Sequence, residues 1–239
     1  MQRLPDLDVI LKGFIGYLVL VSFLMSACSQ EDYYKEMLDR VRNIERDPKN
    51  LAAWGEIEKL TASPAFWTRY YAFSTFVILS RGPAIKNYTN ATTLFENGLQ
   101  DSDSRVQILC VEGISNLGFE AVNQTYTRLL QVLSSNQENS LSWATAECLG
   151  KISDQEHGVE VLNALLLECE KPVAIDTQIG APRTRTYALS SAVEIARQMG
   201  SKDFLPKFEK LKKAVSARNS PADREFAAQV TNAVSHLKE

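Results

Sequence analysis

The sequence predicts an all-α fold, an α-solenoid of about five antiparallel helix pairs preceded by one N-terminal helix. Three observations predict it. The first is the stretch 101–118, DSDSRVQILCVEGISNLG, which opens on the turn formers Asp101, Ser102, Asp103 and Ser104. Val106, Cys110, Ile114 and Leu117 then share one helical face, and Gly118 ends the run. The second is that this grammar returns: setting Val106 against Leu141 pairs Cys110 with Thr145, Glu112 with Glu147, Gly113 with Cys148 and Ile114 with Leu149, at an offset of 35 residues. The third is a set of looser echoes beginning at Thr68, Thr184 and Asp223, so that successive spacings are 38, 35, 43 and 39. A period in this range is the mark of stacked helix pairs, each unable to bury its apolar face alone.

The chain divides into three parts: 1–27, 28–50 and 51–239. Gly13 to Ala27 is a run of 15 uncharged, mostly apolar residues, shorter than the roughly 20 a spanning helix requires. Lys12 precedes it and the small residues Ser26 and Ala27 close it, the layout of a cleaved leader. Leu24-Met25-Ser26-Ala27-Cys28 resembles the lipobox of bacterial lipoproteins, with Met25 where that family usually has leucine. The resemblance implies that 1–27 is a signal peptide, that Cys28 is acylated, and that residues 28–50 are the lipidated N-terminus and first helix. It also implies that Ser29, in place of an aspartate, sends the protein to the outer membrane, facing the periplasm. Asp6 and Asp8 lie upstream of Lys12 where such leaders begin positively charged; initiation near Val9 to Leu11 removes that mismatch.

The elements follow in order. Glu31 to Arg46 reads as a helix with Tyr34, Leu38, Val41 and Ile44 on one face, broken by Asp47-Pro48-Lys49-Asn50. A second runs Leu51 to Leu60; DPKNLAAW, Asp47 to Trp54, is similar to the start of a tetratricopeptide repeat. Ser63-Pro64 opens the helix Phe66 to Leu79. A weakly patterned helix carries Thr93 to Phe95, then comes the strong one at Ser104. Phe119 to Leu133 pairs with Ser140 to Ile152, and Gly158 to Glu170 is so rich in Leu and Val that burial on more than one side is expected. The longest break, Lys171 to Pro182, precedes a helix ending at Met199-Gly200. Phe204, Phe208, Leu211 and Val215 form the next stripe, and Ser220-Pro221 opens the last helix.

Residues 101–115 and 141–152 resemble the HEAT-repeat family, above all its bacterial form. Asp101, Asp103, Val106 and Ile114 fit that pattern in one pair, and Leu141, Ala146, Leu149 and Gly150 in the next. The resemblance covers roughly residues 66–238 and implies that 51–239 is a HEAT-like repeat domain. The arginine of the family's signature is Gln107 and Ser142 here and occurs only at Arg69, Arg185 and Arg224, which argues against a continuous ladder of ion pairs between repeats.

The bulk composition is that of an ordinary folded domain: 239 residues, 45% hydrophobic, 23% charged, net charge −3. No phosphate loop, metal-spaced histidine pair or nucleophile motif is present, and no cofactor or catalytic residue is expected. Cys110, Cys148 and Cys169 read as buried small hydrophobes, because neighbouring helix axes stand about 8–10 Å apart and a disulfide needs Cα atoms within about 7 Å. Glu112 and Glu147 read as solvated or inter-repeat contacts.

One charge asymmetry remains. Residues 183–218 hold nine basic and three acidic residues, a net +6 within a chain of −3. The candidate partner-binding residues are therefore Arg183, Arg185, Lys207, Lys210, Lys212 and Lys213, beside the 171–182 break. The leading expectation is a non-enzymatic scaffold or adaptor that holds another envelope protein while its acyl chains sit in the membrane. The alternative is a binding protein for an anionic envelope polymer or glycolipid through the basic segment. An enzyme with its site at the 171–182 break is the third, and nucleic acid is not an expected partner for an exported chain.

Overall fold

The computed structural model describes residues 32, 34–118, 125–135, 139–154, 156–171, 181–218 and 220–238, the side chains of 139, 181–183 and 201 apart. The leader, Cys28 and most of the 171–182 break lie outside these residues. The described residues form eleven α-helices with two 3-10 turns and no strand. Helix α1 covers 34–46, α2 Leu51–Thr61, α3 Phe66–Ser80, α4 Ala91–Gly98, α5 Ser104–Leu117 and α6 Tyr126–Ser134. Then follow α7 Asn139–Ile152, α8 Gly158–Glu170, α9 Ala181–Gln198, α10 Leu205–Ser216 and α11 Pro221–Lys238.

Each boundary has a local cause. The Asp47–Asn50 turn ends α1 and caps α2, Asn50 Oδ1 accepting from the Ala53 amide at 3.2 Å. Trp54, fully buried, pins that turn by donating its indole N–H to the Pro48 carbonyl at 2.9 Å. Asp103 caps α5 through the Arg105 amide, and Gly118 ends that helix at φ 75°, a left-handed conformation costly for a side chain. Ser220 caps α11: its Oγ accepts from the Asp223 amide at 3.1 Å and donates back to the Asp223 carboxylate at 2.7 Å.

The helices pack as five pairs, α2/α3, α4/α5, α6/α7, α8/α9 and α10/α11, with α1 ahead of them. Two pairs show their direction directly. The Tyr126 hydroxyl, at the start of α6, donates to the Ile152 carbonyl at the end of α7. Lys238, ending α11, pairs with Glu209 in the second turn of α10 at 2.8 Å. Within each of these pairs the helices are antiparallel. The second helices α3, α5, α7, α9 and α11 pack each against the next, and they run parallel: Arg69 meets Asp101 at their N-terminal ends, Asn116 meets Ser80 at the other.

The repeat register of the sequence is the register of the core. Val106, Cys110, Ile114 and their counterparts Leu141, Thr145, Leu149 are all buried, as are Thr184, Ala188 and Ala192 43 residues further on. Gly113 is small for a reason: a Cβ there would run into the Phe95 ring of α4, itself fully buried. One element departs from expectation. α8 is buried on one side only, for Val159 is 42% and Leu167 65% exposed on its far face. Its apolar composition exceeds what its packed neighbours cover. The helix expected over 119–133 is described only from Tyr126, and 119–124 lie outside the description.

Candidate functional site

Residues 183–218 build the end of the stack: α9, the 3-10 turn Ser201–Asp203 and α10. Their basic side chains do not share one surface. Arg185, expected as a partner-binding residue, is 3% exposed at the start of the second turn of α9. Its Nη1 donates to Asp223 Oδ1 at 2.7 Å, its Nη2 lies 3.4 Å from the Ala222 carbonyl, and the Phe226 ring stands 4.4 Å from the guanidinium carbon. A charge at that depth persists only when paired, so Arg185 ties α9 to α11 and is withdrawn from the surface. Arg183's side chain lies outside the described residues, as does Cys28.

Asp223 is the hub of this joint. Burial pushes its carboxyl up, yet the Ser220 hydroxyl and the Arg185 guanidinium favour the carboxylate and hold it below its ordinary range. Arg218, just beyond α10, stands 3.9 Å from the same carboxylate. It also donates to the carbonyls of Glu170 and Lys171, satisfying acceptors that the C-terminus of α8 leaves open.

A second joint repeats the design at the other end. Arg69 Nε donates to Asp101 Oδ2 at 2.7 Å and its Nη2 to Oδ1 at 2.9 Å, while Nη1 reaches the Ser63 carbonyl at 3.0 Å. Gln107, in the arginine position of α5, donates to the Asp101 carbonyl at 2.7 Å. Ion pairs between successive second helices thus exist where the arginine is kept at Arg69 and Arg185. Their acidic partners stand 32 and 38 residues on, in the turn or first helical turn of the next second helix.

The remaining basic candidates are all on α10. Lys207 donates to Asn163 Oδ1 of α8 at 2.6 Å. Lys210 and Lys213 are exposed and Lys212 is half-buried. Glu209 among them is paired with Lys238, whose hydrogen bond holds its carboxyl below the usual range.

On the second-helix layer, α3 opens with Phe66, Trp67, Tyr70 and Tyr71, whose rings pack 4.7 to 6.0 Å apart between centroids. Arg105 of α5, gripped by Asp103 at 2.9 and 2.7 Å, lies 4.0 Å over the Phe66 ring. Trp67 stays 38% exposed. Further along, one cleft lies between α5 and α7 over Glu112, Glu147, Lys151 and Cys148. Another lies at the end of α3 beside Arg81, Lys86 and Thr89, and Asn116 borders both. Glu112 pairs with Arg81 of the neighbouring helix and Glu147 with Lys151 one turn on at 2.7 Å, so these carboxylates serve inter-repeat and intrahelical contacts.

The thiols among the described residues are poor nucleophiles. Cys110, Cys148 and Cys169 are free and buried; burial raises all three, Cys148 to about 12. Asp154, Glu156 and His157 come close enough to share a cation, but His157 is already stacked on Tyr126 at 4.2 Å and bonded to Asp154 at 3.1 Å. No helix among the described residues is long and apolar enough to cross a membrane.

No family model matches the chain, and no curated protein matches it. Among solved structures, the crystal structure of an engineered protein is similar over 82% of this chain and 89% of its own, at 16% identity and a TM-score of 0.46. A likeness of that grade says nothing about what this chain does.

Proposed function

We propose that the chain is a lipid-anchored protein of the bacterial cell envelope, non-enzymatic, whose helical stack holds another envelope protein. The anchoring half of this reading rests on the apolar run ending in Ser26-Ala27-Cys28. The scaffold half is carried by the aromatic cluster at the head of α3. Trp, Tyr and Arg are the residue types that dominate binding energy at protein interfaces, and here they stand together with Trp67 left partly open.

The test has two arms. Cys28→Ser should accumulate as unprocessed precursor or appear as a soluble form, because at ~0.8 kcal/mol per buried methylene several acyl chains hold a protein on a membrane and none does not. A photo-crosslinker at Trp67 in intact membranes should capture a discrete protein that a crosslinker at Lys59 does not. Unchanged membrane extraction of Cys28→Ser refutes the anchor, and identical patterns from the two crosslinker positions refute the scaffold surface.

A second reading draws on Lys210 and Lys213, exposed on α10: binding of an anionic envelope polymer or glycolipid. Salt-sensitive retention on such a polymer, lost in Lys210→Glu with Lys213→Glu, would favour it.

A further inference from the structure

The outer faces of α8 and α10 form one surface, and the exposed aliphatic residues of α8, which neither reading above uses, lie on it beside the lysines of the second. Two contacts set their register. Lys207, in the first turn of α10, donates to Asn163 in the second turn of α8 at 2.6 Å. Arg218, just past the end of α10, donates to the carbonyls of Glu170 and Lys171 at the end of α8. The two helices therefore run parallel, and Leu167 stands level with the turn that carries Lys210 and Lys213. On α8 the exposed positions Val159, Asn163 and Leu167 follow at i, i+4 and i+8 on one stripe. On α10 the buried stripe is Phe208, Leu211 and Val215, so Lys210 and Lys213 project from the opposite side, as Leu167 does from α8.

The result is an outward face with leucine at 65% and valine at 42% exposure bordered by Lys207, Lys210 and Lys213. The acids near it are Glu156 and Glu160 beside Val159, Glu170 one turn beyond Leu167, and Glu209, which Lys238 already engages at 2.8 Å, so the basic part of the face is its α10 side. The preceding helix α6 turns only Thr127, Gln131, Ser134 and Ser135 fully outward, so the pairing of aliphatic and basic residues does not extend onto it.

We propose that this α8–α10 face seats on an anionic phospholipid bilayer, lysines over the headgroups and Leu167 with Val159 at their level. Charge complementarity selects an anionic surface. The exposed aliphatics select a bilayer over a soluble anionic polymer, since only an interface with an apolar side gains from burying them. The inference is compatible with the lipid-anchor reading, which would bring the chain to such a surface, and it deepens that reading by orienting the stack.

The test uses the whole chain with vesicles of phosphatidylcholine alone or phosphatidylcholine with phosphatidylglycerol. Flotation reports attachment, and the acetylation rate of each lysine, read by mass spectrometry, reports contact. Lys59 and Lys86, exposed elsewhere, are internal references. Flotation with both vesicles and several-fold slower acetylation of Lys210 and Lys213 on the anionic ones, reversed by high salt and weakened by Leu167→Gln, supports docking and anchor together. Flotation with anionic vesicles alone, with the same protection, supports docking and removes the anchor. Flotation with both and lysine rates equal to the references overturns docking and leaves the anchor standing. Equal protection on neutral vesicles also overturns it, because an anionic surface is then not what covers the face, and flotation with neither overturns both.

Discussion

Removing the carboxylate of Asp223 should destabilise this protein more than any surface substitution. Asp223→Ala leaves the Arg185 guanidinium at 3% exposure with no anion beside it. Among the described residues its Nε has no hydrogen-bond partner, and the Ala222 and Lys171 carbonyls at 3.4 and 3.5 Å carry no charge to replace the carboxylate. Breaking a buried pair from one side costs about 3–5 kcal/mol, whereas replacing both partners with apolar residues of similar size is often neutral. For a chain of this length a loss of that size lowers Tm by roughly 6–20 °C. The Ser220 hydroxyl also loses its acceptor on the carboxylate, while its cap on the residue 223 backbone amide remains. Because stability in a stacked array is a sum over neighbours, the first part to melt should be α10 and α11. The assay is urea unfolding followed by circular dichroism, with Arg185→Leu, Asp223→Ala and the double Arg185→Leu/Asp223→Leu beside the parent. The reasoning is refuted if Asp223→Ala loses under about 1 kcal/mol, the range of exposed pairs, or if the double variant is as unstable as the single.

Acid should find the same joint. Asp223 is held below its ordinary value of 3.8, so its contribution is fully present above that value and is lost as pH falls through the lower folded one. Asp223→Asn should therefore flatten the stability profile at the acid end; an unchanged profile would show that other carboxylates set it. Ile114→Ala and Leu149→Ala, equivalent and fully buried, should each cost about 2–5 kcal/mol, checked by the same melts. Cys110, Cys148 and Cys169 should ignore a thiol reagent in the native state and react on unfolding; rapid native labelling at any of them would contradict their burial. Lys210→Glu with Lys213→Glu should leave Tm within about 1 °C, since exposed side chains away from caps and cores contribute little.

The fold was legible because burial in a helix leaves a period. Val106, Cys110 and Ile114 recur at Leu141, Thr145 and Leu149, and the second-helix stripe could be followed from residue 68 to the last helix. The pairs are less evident from their first helices. α4 is eight residues, too short for a clear stripe, whereas α6 could be read from Tyr126, Leu129 and Leu133 at i, i+3 and i+7, all buried. The ion pairs were half legible. Counting arginines found Arg69 and Arg185 and missed their partners, because Asp101 lies in a turn and Asp223 reads as a capping acid. The usable signal was the spacing: an acid at the start of the next second helix, one repeat after the arginine.

Net charge misdirected the choice of site residues for a related reason. A sum over 183–218 counts Arg185 and Lys210 alike, yet one is a buried strut and the other a surface cation, and only the position on the helix separates them. Arg185 falls on the same stripe as Ala188, Leu189 and Ala192, all buried, so periodicity already placed it inward. Lys210 and Lys213 fall opposite Phe208, Leu211 and Val215 and had to face out. The same test applied to α8 is less forgiving, because Leu165, Leu166 and Leu167 are chemically alike and no residue type marks which of the three is left over. Geometry decides it: in a two-layer stack a first helix meets its own partner and its flanking neighbours, leaving one side uncovered. The residue on that side is Leu167, and it lies beside the cations that the charge count had found.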